Sequence, residues 1–368
     1  MKIKKILALL LIMLLVIPSL VACASTAQKY ELALITDIGT IDDKSFNQGA
    51  WEGLVKYATE KKITNKYYKP TEKTTDAYVA AIDLAVTGGA KVIVTPGYLF
   101  EPAIYIAQSK YPNVKFVLLD GSPQDGKTPP TARIDKNVYS IFYAEEQSGF
   151  LAGYAAVKEG ARKLGFMGGM AVPAVVRFGY GFIQGAEYAG KELALKAGDL
   201  ELKYTYVGGF APDPAYQTMA ASWYSAGTEI IFACGGGIGN SIMAAAAAQT
   251  GKKVIGVDVN QSAESPTVIT SAMKMLGNSV YLALQDYYAG TFQGGKSVTL
   301  DVKVNGVGLP DDFTRFTKFT KADYTAIYDK MVKDTDKVTS SIVKDKAGDK
   351  AVALADIKTT VVKVTEVK

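Results

Sequence analysis

The chain has 368 residues, 48% hydrophobic and 21% charged, with 35 glycines and 13 prolines, a length and balance that suit two packed domains and exclude a largely disordered chain. It has no histidine and only two cysteines, Cys23 and Cys234, which excludes Ser-His-Asp and Cys-His nucleophile systems, histidine-containing zinc sites, cysteine-rich zinc modules and any disulfide framework. The net charge of +5 falls to +2 once Lys2, Lys4 and Lys5 are set aside, which is no nucleic-acid footprint.

Residues 1–22 pair that basic start with an uncharged apolar run from Ile6 to Ala22 containing Pro18, the layout of an export signal. The run is short for a spanning helix. Its end, Leu20-Val21-Ala22-Cys23, resembles a bacterial lipobox, in which the cysteine is diacylated. Cys23 is therefore the expected lipidation site, residues 23–28 a lipid-anchored tether, and the extracytoplasmic face of the cell membrane the expected location. An ordinary signal peptide with a chance cysteine is the alternative. Cys234 then remains a lone thiol, expected as a small buried residue.

Short β-rich apolar runs alternate with helical periodicity from there on, the signature of βαβ units and parallel sheets. Strands are predicted at Glu31–Thr36, Lys91–Thr95, Val114–Leu119, Asn137–Phe142, Leu164–Met167, Tyr204–Val207, Glu229–Ala233, Lys253–Val257 and Val268–Ser271. Helices are predicted at Ser45–Thr59, Thr75–Thr87, Glu101–Ser109, Glu145–Lys158, Arg177–Ala197, Pro214–Ala226, Ser241–Thr250 and Met273–Ala289. An internal echo divides the chain: a strand ending at Gly97 is followed 23 residues later by Asp120 at the end of the next, and the pair Gly235 and Asp258 repeats that spacing. Two similar α/β lobes would produce it, with both aspartates at strand ends where open sheets place ligands. Beyond Lys321 the chain turns polar, with a helix over Lys321–Val338 and a late strand over Thr359–Val364.

The densest polar-aromatic stretch, Asp37 to Gln48, joins the first strand to the first helix. Asp42, Asp43 and Ser45 can accept from free helix amides. Capping leaves Asp37, Phe46 and Asn47 over, and an exposed ring beside an amide suits a flat, hydrogen-bonding ligand. Phe210, in a loop between Gly209 and Pro212, is the second ring candidate, for a cleft or for the core. Gly235 to Asn240 fails the GxGxxG register, leaving a tight turn or a close backbone approach to a neutral ligand. Gly290 to Ser297 matches GxxxxGK[ST] in letters but lies between a helix and a strand, the wrong order for a phosphate loop. Lys274 is read at the start of a helix, either as a solvated charge or as a partner for cleft carboxylates.

These motifs, in this order, resemble the basic membrane protein family of bacterial substrate-binding lipoproteins, of the purine nucleoside receptor A type. The resemblance rests on Asp37-x-Gly39-x-x-Asp42-Asp43-Lys44-Ser45-Phe46-Asn47, the Phe210 loop, Gly236-Gly237-x-Gly239-Asn240, Ile255-Gly256-Val257-Asp258, Ser271-x-x-Lys274 and Gly290-x-Phe292-x-Gly294-Gly295, and runs from the lipobox to about Pro310. It implies the type I periplasmic-binding-protein fold, two doubly wound α/β lobes with three hinge crossings and a ligand cleft. The expected lobes are 29–142 with 262–297, and 143–261 with 298–330, leaving 331–368 as an extension. The resemblance implies that Phe46 and Phe210 sandwich a purine, that Asp37 and Asn47 lie near the base edge, and that Asp120, Gly236, Asp258 and Lys274 hold the ribose. One departure stands out: the family's Phe-x-Asp becomes Phe210-Ala211-Pro212, with the acid displaced to Asp213.

The expected function is capture of a purine nucleoside by a monomeric, lipid-anchored receptor serving an ABC permease and its ATPase, with no cofactor and no enzymatic activity. A riboflavin-like heterocycle is the alternative ligand. A calcium-dependent nucleoside hydrolase, drawing on Asp37, Asp42 and Asp43, and a surface adhesin are the alternative classes.

Overall fold

The computed structural model describes residues 28–368; the expected export signal, the expected lipidation site at Cys23 and most of the expected tether lie outside the described residues. The first lobe is built from β1 (Leu32–Ile35), α1 (Phe46–Lys61), β2 (Asn65–Tyr68), α2 (Thr75–Thr87), β3 (Val92–Pro96), α3 (Glu101–Lys110), β4 (Lys115–Leu119) and β5 (Val138–Tyr143). The second comprises α4 (Glu145–Glu159), β6 (Lys163–Gly168), α5 (Pro173–Glu192), β7 (Leu200–Tyr206), α6 (Pro214–Ser225), β8 (Ile230–Cys234), α7 (Ile238–Ala247), β9 (Lys253–Asp258) and β10 (Val268–Lys274). Then come α8 (Leu276–Tyr288), β11 (Lys296–Leu300), β12 (Val307–Gly308), α9 (Lys321–Lys333), the hairpin β13 (Lys346–Ala347) and β14 (Lys350–Ala351), and β15 (Val362–Glu366).

Central strands such as Leu32–Ile35 and Ile230–Cys234 are uninterrupted apolar runs because helices cover both faces of each sheet, and every residue in them is buried. The first sheet runs β11-β5-β4-β3-β1-β2, and the second β12-β10-β9-β8-β6-β7-β15. Within each, five parallel strands follow the same winding, β2-β1-β3-β4-β5 and β7-β6-β8-β9-β10, so each lobe has one switch point, between its first and third strands. The chain passes between lobes three times: from β5 into α4, from β10 into α8, and from β11 towards β12. α8 packs on α1 of the first lobe, while α4 packs on α5 and β10 of the second.

α4 is buried from Glu145 to Val157, and its contact with α5 is unusually close. A Cβ on Gly149 or Gly153 would overlap the carbonyls of Phe178 and Phe182, and one on Gly181 or Gly185 those of Glu146 and Phe150. Reciprocal glycine pairs four residues apart let the two backbones touch, which fixes the heads of both helices beside the cleft.

The structure differs from the sequence reading in four places. β10 continues through Lys274, pairing Met273 with Asp258 of β9, so Lys274 ends a strand and α8 begins only at Leu276. β10 therefore lies in the second sheet although residues 262–297 were expected in the first lobe, while β11 pairs with β5 in the first. Residues 331–368 are no appendage: β15 pairs with β7, and Met331, Val338, Ile342, Val361 and Val362 are buried in the main core. β2 was missed because Asn65–Tyr68 is a half-exposed edge strand without an apolar run.

Candidate functional site

Where the lobes face each other lies a cavity of about 620 Å³, within the range of small-molecule sites. Its first-lobe wall is the loop from β1 to α1. Asp43 organises that loop: one carboxylate oxygen accepts from the amides of Ser45 and Gln48 at 2.9 and 3.1 Å, the other from the amide of Asn47 at 3.0 Å. Asp43 therefore caps α1, while Asp42 is exposed and Ser45 makes no capping bond through its side chain. The Asn47 amide donates to Asp37 at 3.0 Å and Asp43 at 2.9 Å, and accepts from the backbone of Asp37 at 3.3 Å. Burial pushes the Asp37 carboxyl above its ordinary range, against its bonds from Gly39 and Asn47. Asn47 thus holds Asp37 in place, and Phe46 presents its ring to the cavity beside it.

The second-lobe wall comes from the corresponding switch point. Gly235, Gly236 and Gly237 line the cavity after β8, with Gly236 in the left-handed region at φ 55°, and the lack of a side chain on Gly237 makes room for Phe210 and Pro212. Phe210, Ala211 and Pro212 line the cavity too. Asp213 caps α6 by accepting from Ala215 at 2.7 Å, which is where the displaced acid is used. Cys234 is buried and borders the cavity, its thiol pushed up by burial.

The cavity floor is a knot of buried charge at the lobe crossings. The Lys274 ammonium is 2.7 Å from Asp120, 3.2 Å from Asp258 and 3.6 Å from Glu145, and 4.3 Å from the centre of the Phe46 ring. Glu145 is held in turn by Arg177, at 2.6 Å from its Nε. Asp258 accepts from the Ser45 hydroxyl at 2.5 Å, so the two lobes are joined across the cleft. Burial opposes the charge on Lys274, but the carboxylates of Asp120, Asp258 and Glu145 outweigh it and raise its affinity for the proton. Burial likewise pushes Asp120 up to about 7, against the pull of Lys274, and one of its oxygens is buried with no partner. Burial also acts on Glu145, but Arg177 and Lys274 hold that carboxyl below its usual range. Asp120 and Glu145 shift in opposite directions because Glu145 has Arg177 as a second cation in contact and Asp120 has Lys274 alone.

The structure brings Asp37, Phe46, Asn47, Phe210, Gly236, Asp258 and Lys274 to one cavity. Asp120 stands behind Lys274 and does not line it. Glu145, Arg177 and Phe178 escaped the sequence reading: Glu145 and Arg177 read as helix residues, and their ion pair spans 32 positions. Among the described residues no group of three or more cysteines and carboxylates is placed to hold a metal ion, and no helix is long and apolar enough to cross a membrane.

The sequence profile of the Bmp family, described as ABC transporter substrate-binding protein PnrA-like, matches residues 30–348. The chain is 31% identical over 298 residues to the ABC transporter nucleoside-binding protein BmpA of Lactococcus lactis subsp. cremoris, covering 75% of this chain and 80% of that one. It is 32% identical over 295 residues to basic membrane protein B of Borreliella burgdorferi, covering 78% and 82%. Among solved structures it resembles an ABC transporter solute-binding protein from Aeropyrum pernix K1, with a TM-score of 0.67 and 24% identity over 85% of this chain and 89% of that one.

Proposed function

The chain belongs to the Bmp family of PnrA-like ABC transporter substrate-binding proteins, with the type I periplasmic-binding fold and a transport rather than enzymatic role, and from that premise we propose that its cleft captures a purine nucleoside. The observation that carries the reading is the composition of the cavity: aromatic rings, Phe46 and Phe210, on the walls from opposite lobes, and a buried carboxylate, Asp258, at the floor. A flat base stacks between rings, each contact contributing roughly 1–3 kcal/mol. Asp258 accepts from ribose hydroxyls, Lys274 offsets its charge, and the Gly236 backbone closes on the sugar without steric hindrance. Asp37, held by Asn47, faces the base edge. Asp120 acts through Lys274.

Closure about the three crossings traps the ligand, and opening releases it to a permease and ATPase in the same membrane. A lipid at Cys23 tethers the monomeric receptor on the extracytoplasmic side. A second reading, a larger heterocycle such as riboflavin, draws on the apolar Ala211 and Pro212 lining.

Thermal melting of residues 24–368, unfolded and refolded to strip ligand, tests both readings against purine nucleosides, free bases, riboflavin and sugars. A ligand that binds only the folded state raises the midpoint by mass action. The proposal expects a rise with purine nucleosides that is lost in Asp258→Ala. A rise with riboflavin alone replaces the ligand, and no rise with any of them removes the proposal.

A further inference from the structure

The segment after α9 lies along α5 in two passes. On the outward pass the Gln184 amide bonds both ways with the backbone of Val343, at 2.8 and 2.9 Å, and both carboxylate oxygens of Asp345 stand 3.4 Å from the Arg177 guanidinium. On the return, Tyr180 donates to the carbonyl of Val352 at 2.9 Å, and Glu187 accepts from the amides of Thr360, Val361 and Val362 at 2.8 to 2.9 Å. The order of these contacts runs towards the head of α5 and back. The β13–β14 hairpin is thereby carried to the end of α5 where Ala174 and Val175 line the cavity.

Two consecutive residues of this strap reach two consecutive buried acids at the first lobe crossing, one directly and one through a shared arginine. Lys344 pairs with Glu146 at 3.1 Å, and Asp345 shares Arg177 with Glu145. A continuous series of charges results: Asp345, Arg177, Glu145, Lys274, Asp258. Arg177 is 14% exposed in its side chain and Glu145 fully buried, so little water screens the series. Without the Asp345 charge Arg177 keeps Glu145 as its one carboxylate partner, which alters the hold of Glu145 on Lys274, the longest of the ammonium's three carboxylate contacts at 3.6 Å. The family match ends at residue 348, so β14 and β15, which complete the strap, lie past it.

We propose that the C-terminal strap is part of the ligand site, with Asp345 a positioning residue that sets the place of the Lys274 ammonium through Arg177 and Glu145. The affinity readout of this proposal rests on the nucleoside reading; the spectroscopic one does not. In residues 24–368, which hold every described element, Asp345→Asn removes the charge and keeps the side-chain shape. Calorimetric titration with adenosine, guanosine and inosine is expected to show binding weakened about tenfold, with Asp345→Glu restoring it. In ligand-free protein the 15N resonance of the Lys274 ammonium, assigned by its loss in Lys274→Met, is expected to move in Asp345→Asn and return in Asp345→Glu. An unmoved resonance overturns the proposal, as does unchanged affinity where the parent binds. If the parent takes up none of the three nucleosides, the nucleoside reading falls and the resonance alone decides the strap. If Asp345→Asn does not fold, Asp345→Ser, which also removes the charge facing Arg177, is read the same way.

Discussion

Asp120 and Asp258 occupy the same place in two copies of one architecture. Asp120 directly follows the fourth strand of its lobe and Asp258 ends the fourth strand of the other, and each adopts the left-handed backbone region, at φ 54° and 66°. Both bind the same lysine, at 2.7 and 3.2 Å. Their surroundings separate them. Asp258 lines the cavity and also accepts from Ser45 of the opposite lobe, whereas Asp120 is shut behind Lys274 with one oxygen unpartnered. The lesson is that a repeated fold places the same residue twice, while the neighbours decide whether it lines the cavity or stands behind a group that does.

The most drastic way to break the comparison is to remove the shared cation. Lys274→Met leaves Asp120, Asp258 and Glu145 buried without their common partner, and is expected to lower unfolding free energy by about 3–5 kcal/mol in urea titrations and to abolish nucleoside binding.

A titration sharpens it next. Asp120 carries a folded pKa of about 7 against an ordinary 3.8, raised chiefly by burial, so the folded state holds this proton more tightly than the unfolded chain does. The stability it contributes is full below about pH 4, falls as pH rises towards 7, and is gone above, of order 4 kcal/mol in all. Urea midpoints of Asp120→Asn measured against the parent should therefore improve steadily from pH 4 to 7 and then level off. A difference that stays flat contradicts the protonation of Asp120.

Affinity separates the two acids directly. Asp258→Asn weakens a carboxylate that lines the cavity and is expected to cost about 1.5–3 kcal/mol of binding free energy at pH 7. Asp120→Asn, a neutral replacement for a group already partly neutral there, should cost under about 1 kcal/mol. Equal losses would place both acids on the ligand.

The rings give the smallest contrast. Phe46→Ala and Phe210→Ala should each weaken binding by roughly 1–3 kcal/mol, with Phe46 the larger because its face also supports the Lys274 ammonium at 4.3 Å. Reversed ranking in a calorimetric titration would detach Phe46 from the charged floor.

Much of this was legible in the sequence because it is local. Apolar runs, turn residues and the 23-residue spacing from glycine to aspartate are short-range signals, and they marked the paired lobes and Asp258. Phe46 and Asn47 stood out as polar-aromatic residues that capping does not use. What was hidden depends on distant partners. Lys274 is flanked by helix-forming residues and reads as a helix start, and only pairing with β9 on one side and β12 on the other extends the strand and buries it. Asp42 and Asp43 are indistinguishable neighbours until the loop turns one inward and leaves the other exposed. Glu145, Arg177 and Asp345 lie far apart in sequence and meet through the close glycine packing of α4 on α5 and the return of a polar strap along α5.

The central claim is a purine nucleoside held between the lobes with Asp258 on the ligand and Asp120 behind Lys274. Its most direct test is calorimetric titration of ligand-stripped parent, Asp258→Asn and Asp120→Asn with guanosine, inosine and adenosine at pH 7. The account predicts one nucleoside per parent chain, tight binding retained in Asp120→Asn and largely lost in Asp258→Asn. No heat with any purine nucleoside, or parent-like binding by Asp258→Asn, would contradict it.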